Sequence, residues 1–120
     1  MLNCLIVGAG GALGAMCRYL VGLLPLEPQS GFPAKTFLIN VAGSFLIGIV
    51  AALSAKSAVS PRMVLFLKVG ICGGFTTFSS FALETDQLLA KGKTPAALAY
   101  VLLSLVCGVF AVVLAEKLVS

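Results

Sequence analysis

The residues of this chain best suited to chemistry lie in one run, Gly70-Ile71-Cys72-Gly73-Gly74-Phe75-Thr76-Thr77-Phe78-Ser79-Ser80-Phe81. Each glycine weakens a helix by about 1 kcal/mol relative to alanine, and the hydroxyls at 76, 77, 79 and 80 compete for nearby backbone groups. A helix weakened there releases carbonyl oxygens and amide hydrogens. At membrane depth such groups are tolerated only where protein buries them or water reaches them, and interrupted membrane helices of this kind hold ions. Freed carbonyls are hard oxygen ligands for a hard cation, whereas neutral hydroxyls are donors for an anion.

Other polar residues stand at helical spacing in otherwise apolar surroundings. Thr36, Asn40 and Ser44 fall at i, i+4 and i+8, on one helical face. An asparagine in that setting has two readings: a bond to a neighbouring helix, or an amide that donates to an anion on a path. Phe78 and Phe81 share a face at i, i+3; they either pack or turn the positive ring edge toward an anion. Thr77 and Ser80 stand beside them as supporting hydroxyl donors. Arg18 and Lys68 lie inside apolar runs, where a basic side chain either snorkels to the interface or lends positive potential to a water-filled vestibule. Tyr100, Ser104 and Gly108 form a weaker stripe that either lines a path or bonds to a neighbouring helix.

The elements that must carry these groups are membrane spans. The chain has 120 residues, 60% hydrophobic and only 10% charged, far more apolar than a soluble domain. Apolar segments at 3–24, 36–55, 61–90 and 95–118 each reach the ~20 residues needed to cross ~30 Å of hydrocarbon. They predict an all-α membrane protein, one domain over 1–120, with the third helix broken in mid-membrane. The first segment lacks a basic start and holds Arg18 inside its run, so it reads as a helix and not a cleaved signal. Four helices are few to enclose a pathway, which points to an oligomer.

Several functions are excluded. The eight basic residues are scattered among segment ends, which removes the patch a nucleic acid needs. The chain has no histidine and no nucleophile–base pair, so it is not read as an enzyme. Cys4, Cys17, Cys72 and Cys107 lack metal-ligand spacing and read as small apolar residues. Gly8-Ala9-Gly10-Gly11-Ala12-Leu13-Gly14 looks like a dinucleotide loop, but the nearest acid, Glu27, sits between Pro25 and Pro28 and another span follows. In a membrane helix the same glycines make a smooth face for close packing.

Gly10-Gly11-x-x-Gly14 with Arg18-Tyr19, Asn40 with Gly43-Ser44-Phe45 and Gly48, and Gly70-x-x-Gly73-Gly74-x-Thr76-Thr77-Phe78-Ser79-Ser80-Phe81 together resemble the Fluc/CrcB family of bacterial fluoride channels. The resemblance spans nearly the whole chain. It implies a passive fluoride channel of the bacterial inner membrane, built as a dimer of identical subunits inserted in opposite orientations. It also implies a structural sodium ion at the dimer centre held by the carbonyls of Gly73 and Thr76, with Asn40, Phe78 and Phe81 along the fluoride path. The charges fit dual topology: Lys56, Arg62 and Lys117 on one side balance Lys35, Lys91 and Lys93 on the other. The competing reading, a small dual-topology exporter of cationic drugs, needs a membrane-embedded carboxylate for proton exchange, and the first span has no acid.

Overall fold

The computed structural model describes residues Met1–Ser120. It is all-helical, with four helices long and apolar enough to cross a membrane. Helix α1, Leu2–Gly22, stops two residues short of the expected end. The Leu23 N–H turns back onto Leu20 O and the Leu24 N–H onto Val21 O, and Pro25 and Pro28 beyond them disfavour further helix. Helix α2, Ala34–Ala55, begins directly after Pro33.

The third span, Pro61–Ala90, is a joined and bent element of 30 residues. It opens with α3, Pro61–Val64, where the Ser60 hydroxyl accepts from Met63 N at 3.2 Å and Pro61 occupies a position that needs no N–H. A π-helical segment, π1, covers Leu65–Cys72, and α4 covers Gly73–Phe75. Thr76 and Thr77 then adopt extended backbone, with ψ of 156° and 116°, before α5 resumes over Phe78–Ala90. The departure from helix thus lies on the threonines, not on the glycines. Helix α5 ends in a Schellman turn: Gly92, at φ 75°, bonds back to Leu89 O and Lys93 N to Leu88 O. Helix α6, Thr94–Val119, crosses without interruption.

Helix α2 packs along α6, and α1 packs along π1 and α4. The second contact depends on missing side chains. A Cβ added at Gly10 would sit 2.5 Å from Phe66 O and 2.9 Å from Gly70 Cα, so two backbones meet directly. The helices alternate in direction: the Lys93 side chain reaches Gly31, while Lys56 donates to Val119 O at the opposite end. Leu88, Ala97 and Tyr100 form a small buried cluster beside Phe32, Phe37 and Phe81. Only 15 of the 120 residues are buried, and large apolar side chains on every span face outward. Such a surface suits lipid or another apolar protein face, not water.

Candidate functional site

The extended link at Thr76–Thr77 is held by side chains from two other helices. Asn40 of α2 grips the Thr77 backbone from both ends of its amide: Thr77 N–H donates to Oδ1 at 2.8 Å, and Nδ2 donates to Thr77 O at 3.1 Å. In a continuous helix that Thr77 N–H would return to Gly73 O. Likewise Ser80 N–H, which would return to Thr76 O, donates to the Thr77 hydroxyl at 3.2 Å and caps α5. Two carbonyls, those of Gly73 and Thr76, therefore lose their usual helical donors to side chains. Arg18 of α1 adds a third contact, with Nε donating to Gly74 O at 3.1 Å. The Thr76 hydroxyl donates to Cys72 O at 2.8 Å and closes the end of the preceding turn.

Cavities lie on either side of this link, and Thr77 lines both. The larger, about 570 Å³, opens near Arg18 and is lined also by Thr36, Ser80 and Glu84, under the loop that joins α1 to α2. Its charges are three basic residues, Arg18, Lys35 and Lys91, against Glu27 and Glu84. Lys35 is committed locally: Nζ pairs with Glu27 at 3.2 Å and donates to Gly22 O, the C-terminal end of α1, at 2.9 Å. The smaller cavity, about 350 Å³, is lined by Asn40, Ser44, Lys68, Phe78, Phe81 and Ser104, among others, and contains no carboxylate.

The structure thus brings Asn40, Phe78, Phe81, Thr77, Gly73 and Thr76 to one cavity, while Arg18 and Ser80 face the other with Thr77. The Phe78 and Phe81 rings lie 5.8 Å apart at 49°, and Phe81 leans on Tyr100 at 5.0 Å. Phe78 is 79% exposed. The stripe on α2 is used in three ways: Thr36 bonds to α5, Asn40 to the link, and Ser44 returns to its own helix at Asn40 O.

One group escaped the sequence reading. Glu84 of α5 is half-buried and accepts from the Thr36 hydroxyl at 2.9 Å and the Tyr100 hydroxyl at 3.0 Å. Tyr100 has no exposure at all. The available signal was a pair of hydroxyls, Thr36 and Tyr100, on two different apolar spans with no assigned acceptor; pairing them with an acid on a third span requires the helix packing. No group of three or more histidine, cysteine or acid side chains is placed to hold a metal.

These features define a multi-pass membrane protein with a polar, backbone-clasped link between cavities. Residues 5–116 match the family described as CrcB-like protein, Camphor Resistance (CrcB), and the chain belongs to that family. It is 47% identical over 114 residues to a protein of Rhizobium meliloti, covering 93% of this chain and 91% of the relative. It is 42% identical over 120 residues to one of Shewanella piezotolerans, covering 99% and 97%. A Thermus thermophilus relative is 46% identical over 115 residues, covering 95% and 92%. All three relatives carry the name fluoride-specific ion channel FluC.

Proposed function

We propose that this chain is the subunit of a passive fluoride channel in the bacterial inner membrane, through which fluoride leaves the cytoplasm and its toxicity falls. Membership of a family whose relatives are named as fluoride-specific channels supports the reading. The observation that carries it within the molecule is the Asn40 clasp on Thr77, which exposes backbone groups beside a cavity lined by neutral donors and aromatic rings.

The chemistry follows from what a small anion must lose. Fluoride sheds strongly bound water, and each lost water needs a replacement weak enough to be left again. Arg18 in the larger cavity draws the anion in. The Ser80 hydroxyl, supported by the Thr77 hydroxyl that donates to it at 3.2 Å, and the remaining N–H of the Asn40 amide donate to it in turn, and the edges of Phe78 and Phe81 present the positive part of their quadrupoles in place of lost water. None of Asn40, Thr77, Ser80, Phe78 and Phe81 carries a fixed charge, so the ion is not trapped among them.

The working unit is a pair of identical subunits inserted in opposite orientations, with the extended link serving as a break in the third helix at mid-membrane depth. The outward Phe78 ring and the apolar faces of the spans give a second copy a surface to cover. The carbonyls of Gly73 and Thr76 would hold a structural sodium at the centre of the pair; both have been deprived of their helical donors, and a Cβ built at Gly73 would meet no other part of the protein within 4 Å. A sodium ion held there would supply a fixed positive charge between the subunits.

The test is efflux from liposomes containing the purified chain. Fluoride should leave through the protein while chloride is retained. Fluoride efflux no faster than from protein-free liposomes overturns the reading.

A further inference from the structure

We infer that Lys68 supplies the attracting charge for anions entering the smaller cavity, the counterpart of Arg18 in the larger one. The inference rests on the fluoride-channel reading and adds a residue to it. Lys68 is the one charged residue among those lining this cavity. Nothing in the chain neutralises it: the single ion pair joins Lys35 to Glu27, and the Lys68 ammonium has no hydrogen-bond partner in the protein. A basic residue that merely decorates a helix end is usually free to move into bulk water, whereas Lys68 stands seven residues past Pro61, inside the π segment that faces α1 and α2.

A second, independent feature of the same cavity points to a ligand. The Ser104 Oγ is fully buried and has no hydrogen-bond partner in the protein. Buried hydroxyls without a partner are rare because the unmade bond is costly. A hydroxyl donates as readily as it accepts, so a cavity holding an unpaired cation and an unpaired hydroxyl, and no carboxylate, is built for an anion. The contrast with the larger cavity strengthens the point, because there Glu27 and Glu84 offset much of the basic charge. Thr77 lines both cavities, so an anion gathered beside Lys68 stands next to the same link that one gathered beside Arg18 would reach. Lys68 is also exposed enough to keep part of its hydration, which lets it concentrate an anion without binding it tightly.

The experiment measures fluoride efflux for the parent, Lys68→Met and Lys68→Arg in matched liposomes at sub-saturating fluoride, first at low and then at high ionic strength. At about 10 mM salt, where the Debye length is about 30 Å, Lys68→Met should lose roughly 5- to 10-fold in rate and Lys68→Arg should stay within about twofold of the parent. At about 1 M salt, where the Debye length is about 3 Å, the difference should close. Two outcomes overturn the inference alone: equal rates for Lys68→Met and parent at low salt, or a deficit that persists unchanged at high salt, which is a packing effect. A parent that conducts no fluoride overturns the channel reading itself, and the inference with it. Equal elution of the three proteins in size-exclusion chromatography separates a transport effect from loss of folding.

Discussion

Helix α6 and the third span cross the same thickness with opposite uses of the backbone. Over Thr94–Val119, α6 is a single uninterrupted α-helix, apolar apart from Tyr100 and Ser104 along its middle, and what it offers its neighbours there are side chains and not backbone groups. The third span spends four residues as α-helix, eight as π-helix, three more as α-helix and two as extended chain before it resumes at Phe78. A uniform helix has no backbone group left for a ligand. The third span can offer such groups because other helices hold its shape: Asn40 from α2, Arg18 from α1 and the glycines of α1 that let the backbones touch. Departure from helix is stable in an apolar setting only when every displaced group is handed to a new partner, or to an ion.

The comparison breaks most sharply at Asn40. Asn40→Asp removes the donor to Thr77 O while placing an anion beside the path, so fluoride efflux should fall to the level of protein-free liposomes. The half-buried Thr77 carbonyl loses its partner at a cost of up to about 1–3 kcal/mol, which a lower unfolding temperature in detergent would register. Efflux at the parent rate would mean that the clasp has no part in conduction.

Phe81→Ile tests the ring edges. The substitution keeps bulk and apolarity but removes the quadrupole, and the contact with Tyr100 at 5.0 Å goes with it. Efflux should fall at least tenfold while the assembled species, measured by crosslinking, persists. The lost aromatic pair accounts for about 0.5–1.5 kcal/mol of stability.

Gly10→Ala acts on the support and not on the path. Its Cβ would lie within 3.0 Å of three backbone atoms of the third span, none of which is a flexible side-chain end. Overpacking of this kind costs about 1–3 kcal/mol. A loss of folded protein in size-exclusion chromatography, larger than any change in rate per folded channel, is the expected result.

The smallest effect is on the other side of the comparison. At Gly108 of α6 the nearest atom to an added Cβ is Ser44 Oγ at 3.6 Å, ordinary van der Waals contact. Gly108→Ala should leave folding and efflux within about twofold of the parent and add up to about 1 kcal/mol of helix preference. A large loss there would show that α6 is more than a uniform wall.

Much of this was legible in the residues themselves. Span length and apolar composition are local quantities, and they locate four membrane-crossing helices to within two residues at each end. The small-residue face of α1 is equally local, and Gly10 and Gly14 do meet a backbone. The polar stripe on α2 follows from periodicity alone. What each member of the stripe touches does not, because Thr36, Asn40 and Ser44 have the same spacing and three different partners.

The sequence by itself determined the number of spans and the helix-weakening run over Gly70–Phe81, since each depends on composition or on neighbours within a few turns. Only the tertiary structure decided that the helix gives way at Thr76 and Thr77, because the deciding partner, Asn40, is 37 residues away in the chain. It alone placed Glu84 between Thr36 and Tyr100 and left Lys68 without a counter-charge in its cavity. Glycine propensity marks where a helix is weak, but the site of departure is set where a side chain from another helix competes for the same N–H and wins.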